Sequence, residues 1–138
     1  MKKTVTKLLA VTVMLFVLTS VTSINANAVS ISQAQTVPEI QNAIQDAINT
    51  ALATPGVTTV TVTGEKTNAS TILRLDVPGG VRVIWQATYR STSNPAIDVW
   101  GQGTFEVATT TGQIQNTNST GSVTALRVND SIDGIVNG

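Results

Sequence analysis

The sequence contains neither cysteine nor histidine. Without cysteine there is no disulfide, no thiolate nucleophile and no lipoprotein anchor, so the fold must be held by packing alone. Without histidine, imidazole metal sites and Ser-His triads are excluded, because no other side chain here supplies that base. Lysine is nearly absent after residue 7, where Lys66 stands alone. Acids are not gathered: there is no D-x-D-x-D run and no glycine/aspartate nonapeptide, the two patterns that would mark a calcium site. The residues therefore give no reason to expect a metal or a cofactor.

The first 28 residues read as an export signal. Lys2, Lys3 and Lys7 make a positive start, Leu8 to Leu18 is an apolar run broken by Thr12, and Ala26-Asn27-Ala28 is a small-x-small cleavage site. The apolar run is too short for the roughly 20 residues a membrane span needs. Cleavage after Ala28 is expected, with a secreted or cell-surface product. The mature chain is long enough for one small domain. It carries Lys66, Arg74, Arg82, Arg90 and Arg127 against eight acidic residues, a net charge of −3. No basic patch remains to track a phosphate backbone, which argues against nucleic acid. No second apolar segment is present, so no membrane span is expected after signal removal.

One helix is legible, and with its lead-in it fills residues 29–56. Thr36-Val37-Pro38-Glu39 is a capping box with proline in the first turn. Ile40, Ala43, Ile44, Ala47, Ile48, Ala51 and Leu52 then recur at helical spacing, opposite Gln41, Asn42, Gln45, Asp46 and Asn49. Thr54-Pro55-Gly56 ends it. A face of Ile and Ala packs close to a flat surface, and a cap over the end of a stack of strands is the expected role. A membrane-surface helix would need Lys or Arg on the polar side, and there is none.

Strands fill residues 57–138. Val57 to Gly64 alternates and is β-branched. Thr59, Thr61 and Thr63 within it suggest an ice-binding array, but later strands lack the threonines, so β-propensity explains them. Glu65 to Ser70 reads as a polar turn. A repeat comes next: ILRLDV (Ile72 to Val77) answers to AIDVWG (Ala96 to Gly101), shifted by 24 residues, and to ALRVND (Ala125 to Asp130), shifted by 29 more. VRVIWQ answers to the run around TFEVAT, with Val83 meeting Phe105 and Trp85 meeting Val107. A self-similar period of this length indicates a solenoid. Leu73, Leu75, Val77, Val81, Val83, Trp85 and Ile114 are expected inside. Tyr89 to Pro95 reads as a loop, and Ile132 to Val136 as a strand of the last coil.

These features together resemble the right-handed parallel β-helix of the pectin-lyase-like superfamily. LDVPGGVRVIWQATY followed by IDVWGQGTFEVATTTGQIQN is closer still to the β-helical repeat regions of exported Gram-positive surface proteins. The resemblance covers most of residues 36–130. It implies an all-β solenoid, a short right-handed parallel β-helix of about three coils with an N-terminal amphipathic capping helix. It implies little about function, because such coils carry adhesins, lyases, hydrolases and inert modules alike. The repeat stops in mid-coil, so an open C-terminal edge is expected, awaiting another chain or the rest of a longer surface protein.

The candidate site is on the outer side of the coils. Arg74, Asp98 and Arg127 fall in one column, and Asp76, Trp100 and Asn129 in the next. The plain reading is a solvated wall of alternating charges, each pair adding up to about 1 kcal/mol. The functional reading is a saccharide surface, with Trp100 stacking on a sugar ring and its neighbours bonding hydroxyls or a uronate. A partner protein could use the same wall. Asp76, Asp98 and Asp130 are the only acids that could approach one another for a lyase- or hydrolase-like enzyme, a thin cluster for that chemistry. Asn68-Ala69-Ser70, Asn118-Ser119-Thr120 and Asn129-Asp130-Ser131 match the glycosylation pattern, but the bacterial style of the signal makes them chance matches.

Overall fold

The computed structural model describes residues 27–129. All but the last two residues of the export signal expected at 1–28, and the strand expected at 132–136, lie outside the described residues. Strand β1 (Asn27–Ile31) and helix α1 (Val37–Ala53) come first. Eight strands succeed them: β2 (Thr59–Ala69), β3 (Leu73–Val77), β4 (Arg82–Trp85), β5 (Thr88–Ser91), β6 (Ile97–Gly101), β7 (Thr104–Val107), β8 (Gln113–Asn116) and β9 (Leu126–Val128). Every strand pairing is parallel.

The pairings sort the strands into three walls. The first runs β1-β2-β4-β7, the second runs from the later half of β2 through β5 to β8, and the third is β3-β6-β9. Consecutive strands sit on different walls, so a strand pairs with one a whole circuit later. Leu73 pairs with Ile97, and Ile97 with Leu126. Val83 lies beside Phe105, and Trp85 beside Val107. The 24-, 29- and 22-residue shifts of the sequence are thus the register of the sheets. The described residues are mostly parallel β-sheet, with one helix.

Alternation along each strand sends one set of side chains inward. Val60 pairs with Val83 and then Phe105, Leu75 with Val99, and all five are fully buried. Trp85 meets Tyr89 edge-on, ring centroids 6.0 Å apart, and packs on Phe105 at the same spacing. Gly64 bends β2 from the first wall into the second. Its φ is +96°, and a Cβ there would lie 2.1 Å from the Ile31 carbonyl oxygen, so both the backbone and the space demand glycine.

Helix α1 starts as its sequence requires. The Thr36 amide donates to Glu39 Oε2 at 2.7 Å, and the Glu39 amide to Thr36 Oγ1 at 3.4 Å. The bond from the Thr36 amide holds the Glu39 carboxyl below the ordinary carboxylate value. Val37, Ile40, Ile44, Ile48 and Ala51 are buried, whereas Leu52, expected on the same face, is 57% exposed. Each four-residue step advances about 40° around a helix. By that drift Leu52 has left the buried arc, and Ala51 has taken its place.

Three stretches differ from expectation. The lead-in contains β1, whose Val29 and Ile31 are buried against β2. Residues 65–69, expected as a turn, continue β2 and pair with β5. Their polarity hid the strand, because the one charged residue that faces in, Lys66, has its own partners. Its ammonium donates to the carbonyls of Gln33 at 2.9 Å and Gln35 at 2.6 Å. Residues 88–91, partly expected as loop, form β5, with Tyr89 inward and in register with Lys66 above and Ile114 below.

Candidate functional site

The third wall carries all six candidate residues. Arg74, Asp98 and Arg127 are in register on β3, β6 and β9, and Asp76 pairs with Trp100. The Asn129 amide donates to the Val99 carbonyl at 2.9 Å, which places Asn129 next to Trp100 along the wall. Its side chain does not stay in that column. Asn129 Nδ2 donates to Asp98 Oδ1 at 2.6 Å. Arg127 grips the same carboxylate with both arms of its fork, Nε to Oδ1 at 2.9 Å and an Nη to Oδ2 at 2.6 Å. Asp98 is consequently buried, at 2% exposure, while Arg74 and Asp76 remain exposed and Trp100 is half-buried.

The Arg127 hydrogen bonds hold the Asp98 carboxyl below its ordinary value. Burial opposes them; the Asn129 bond and the charges of Arg127 and Arg74 reinforce them. An aspartate bound on both oxygens and kept ionised is a poor proton donor, and a glycosidase acid needs the opposite shift. Tyr89 is no substitute, because burial pushes its phenol up and keeps it neutral. Among the described residues no three acids converge. Among the described residues the wall can therefore present Trp100, Asp76, Arg74 and the half-exposed Arg127 to a ligand; Asp130, the third acid expected there, lies outside the described residues.

Two features of the layers were not legible in the sequence. The first is at the leading edge. Gln45 reaches from α1 to β3, accepting from the Asp76 amide at 3.1 Å and donating to the Asp76 carbonyl at 3.0 Å. Gln41 accepts from the Arg74 amide at 3.3 Å. Gln33 accepts from the Thr67 amide at 3.1 Å and donates to Thr67 Oγ1 at 2.6 Å. A glutamine side chain carries the same amide donor and acceptor as the backbone, so these residues stand where a preceding strand would pair. A hint existed in Gln41 and Gln45 lying four apart beside the apolar stripe.

The second feature is at the trailing edge. Among the described residues nothing lies beyond β7, β8 and β9, and a cavity of about 620 Å³ opens there between Val107, Ile114, Val123 and Leu126. Asn94 holds the loop that walls it, donating to the Ser122 carbonyl at 3.0 Å and accepting from the Thr124 amide at 2.9 Å. Among the described residues no helix is long and apolar enough to cross a membrane. Comparison with protein-family models, with curated proteins and with solved structures finds no match to this chain.

Proposed function

We propose that the chain is an exported, non-catalytic binding module, a short right-handed parallel β-helix of about three coils capped by α1, that takes an extracellular glycan on its third wall. Trp100 carries this reading. It is the one tryptophan outside the core, and it stands beside exposed Asp76 with Arg74 and Arg127 in the adjacent column. An indole face is an apolar platform with a polar handle, suited to the C–H face of a sugar ring. The two guanidiniums suit a carboxylate, so acidic, uronate-containing polysaccharides are the preferred class. Cleavage after Ala28 would cut within β1, removing Asn27, with its hydrogen bond to the Ala47 carbonyl, and Ala28, while leaving the buried Val29 and Ile31.

The test is binding of the secreted protein to a panel of neutral and uronate polysaccharides, with Trp100→Ala alongside. Tight binding to uronate chains, weakened at least tenfold in the variant, is expected. No retention on any member of the panel would remove the glycan reading. Appearance of reducing ends or unsaturated products, lost in Asp98→Ala, would replace it with an enzyme. N-terminal sequencing of the secreted form should begin at Val29.

A further inference from the structure

We propose that the cleft between the start of α1 and the turn from β2 to β3 is an oxyanion site with Lys66 at its floor. The proposal is independent of the glycan reading, since Trp100, Arg74 and Arg127 on the third wall take no part in it.

Lys66 carries the inference. The residue is only 6% exposed, yet among the described residues its ammonium forms no ion pair. A buried charge is ordinarily answered by an opposite one. Here the partners are two neutral carbonyls, those of Gln33 and Gln35, which take two of the three N–H groups and leave the third unspent. The Gln35 carbonyl leads directly into Thr36. A cleft of about 270 Å³ opens at that point, and Lys66, Val37, Asn68, Ser70 and Thr71 are among its lining residues. Two acids are close and neither closes on the ammonium. Glu65 is exposed and lies on the opposite face of β2 by alternation. Glu39 turns its carboxylate to the amide and hydroxyl of Thr36, and Lys66 is the weakest of the influences on it.

The walls of the cleft add further donors. The Val37 amide is the first of the helix and has no partner within it. The capping box joins Thr36 to Glu39 and leaves that amide over. Among the described residues the amides of Ser70 and Thr71 donate to no backbone carbonyl, and the side chains of Asn68, Ser70 and Thr71 are not drawn into other bonds. Successive turn amides beside a helix start make a concave patch of positive potential. No acidic residue lines the cleft. Donors on its sides and a buried cation beneath suit a ligand that only accepts hydrogen bonds and is negative. Carboxylates and phosphates share that chemistry.

The test is an NMR titration of the secreted protein with acetate, with phosphate and with chloride as the control for ionic strength. It follows the amides of Val37, Ser70 and Thr71. Saturable shifts of all three with acetate or phosphate, and none with chloride, are expected. A response to acetate alone would assign the site to carboxylates, and a response to phosphate alone to phosphates. Lys66→Met should weaken binding about tenfold or more. Lys66 also clamps the turn before α1, so Asn68→Asp serves as a second variant at an exposed position. A carboxylate placed in the cleft should weaken binding by a similar factor and leave the clamp intact, whereas Asn68→Lys should tighten it. Trp100→Ala should leave the titration unchanged. Shifts that rise without saturation in all three salts, or an affinity unaltered in Asn68→Asp, would overturn the proposal.

Discussion

The two ends of the stack are made of similar strands and finished in different ways. At the leading end, among the described residues, no strand precedes β3 or the later half of β2, and side chains take its place: Gln41 and Gln45 from α1 on β3, and Gln33 from the turn after β1 on β2. The Ile and Ala face of α1 covers the interior below them. At the trailing end the inward row continues through Val107, Ile114 and Leu126, but among the described residues no helix and no amide side chain completes it. A parallel sheet cannot close itself along the stacking direction, so each end needs a specific device. The leading end has its device among the described residues. At the other, backbone ladders join β7, β8 and β9 to the strands before them, and the Asp98 carboxylate ties down both Arg127 and Asn129.

Substitutions at matching positions should expose that difference. Ile44 is fully buried beneath the closed end, and Ile44→Ala should cost about 3 kcal/mol in urea unfolding. A cost below about 1 kcal/mol would mean that α1 is not the lid of the core. Asp98→Ala should cost about 2 kcal/mol, the loss of charge-assisted hydrogen bonds, and should speed amide exchange in β9 far more than in β3. Equal changes in the two strands would show that Asp98 does not anchor the trailing end.

The same carboxylate gives the fold an acid limit. Its folded value lies below that of a free aspartate, about 3.9, so its contribution is complete above that pH and is lost as pH falls through the folded value. Glu39 shifts in the same direction and adds to the loss. Wild-type stability should therefore fall more steeply in acid than that of Asp98→Asn, and parallel curves would contradict the assignment.

Smaller effects are expected at the edges themselves. Gln45→Ala removes both bonds to the Asp76 backbone and should cost about 1 kcal/mol, with faster exchange of the Asp76 amide. An unchanged exchange rate would mean that water serves the edge as well as the glutamine does. Ile114→Ala at the open end should cost less than about 1 kcal/mol in dilute protein, because a half-exposed side chain leaves little cavity behind. A loss as large as that of Ile44→Ala would show the trailing end to be closed.

Much of the fold is legible in the sequence because it is periodic. Inward Leu73, Leu75, Val77, Val83 and Trp85, the Val83–Phe105 and Trp85–Val107 pairings, and the column of Arg74, Asp98 and Arg127 all follow from alternation and a constant shift. The later half of β2 and β5 were less legible. There Lys66, Ser91 and the threonines gave no apolar alternation, and Lys66 found carbonyl partners on Gln33 and Gln35 that only the fold supplies. Of the candidate site, the residues and their register were legible, but not the burial of Asp98. Its environment is set by Arg127 and Asn129, 29 and 31 positions away.

The sequence alone determined the capped helix, the alternation of β3 and β4 and how far apart their copies lie, because those are local consequences of strand and helix geometry. The tertiary structure alone decided how the leading end is closed and how each group along its edge is satisfied. Gln45 reads as a solvent-facing helix residue until β3, 31 positions on, brings its backbone alongside. A backbone amide must find a partner somewhere, and no local pattern records which distant side chain will supply it.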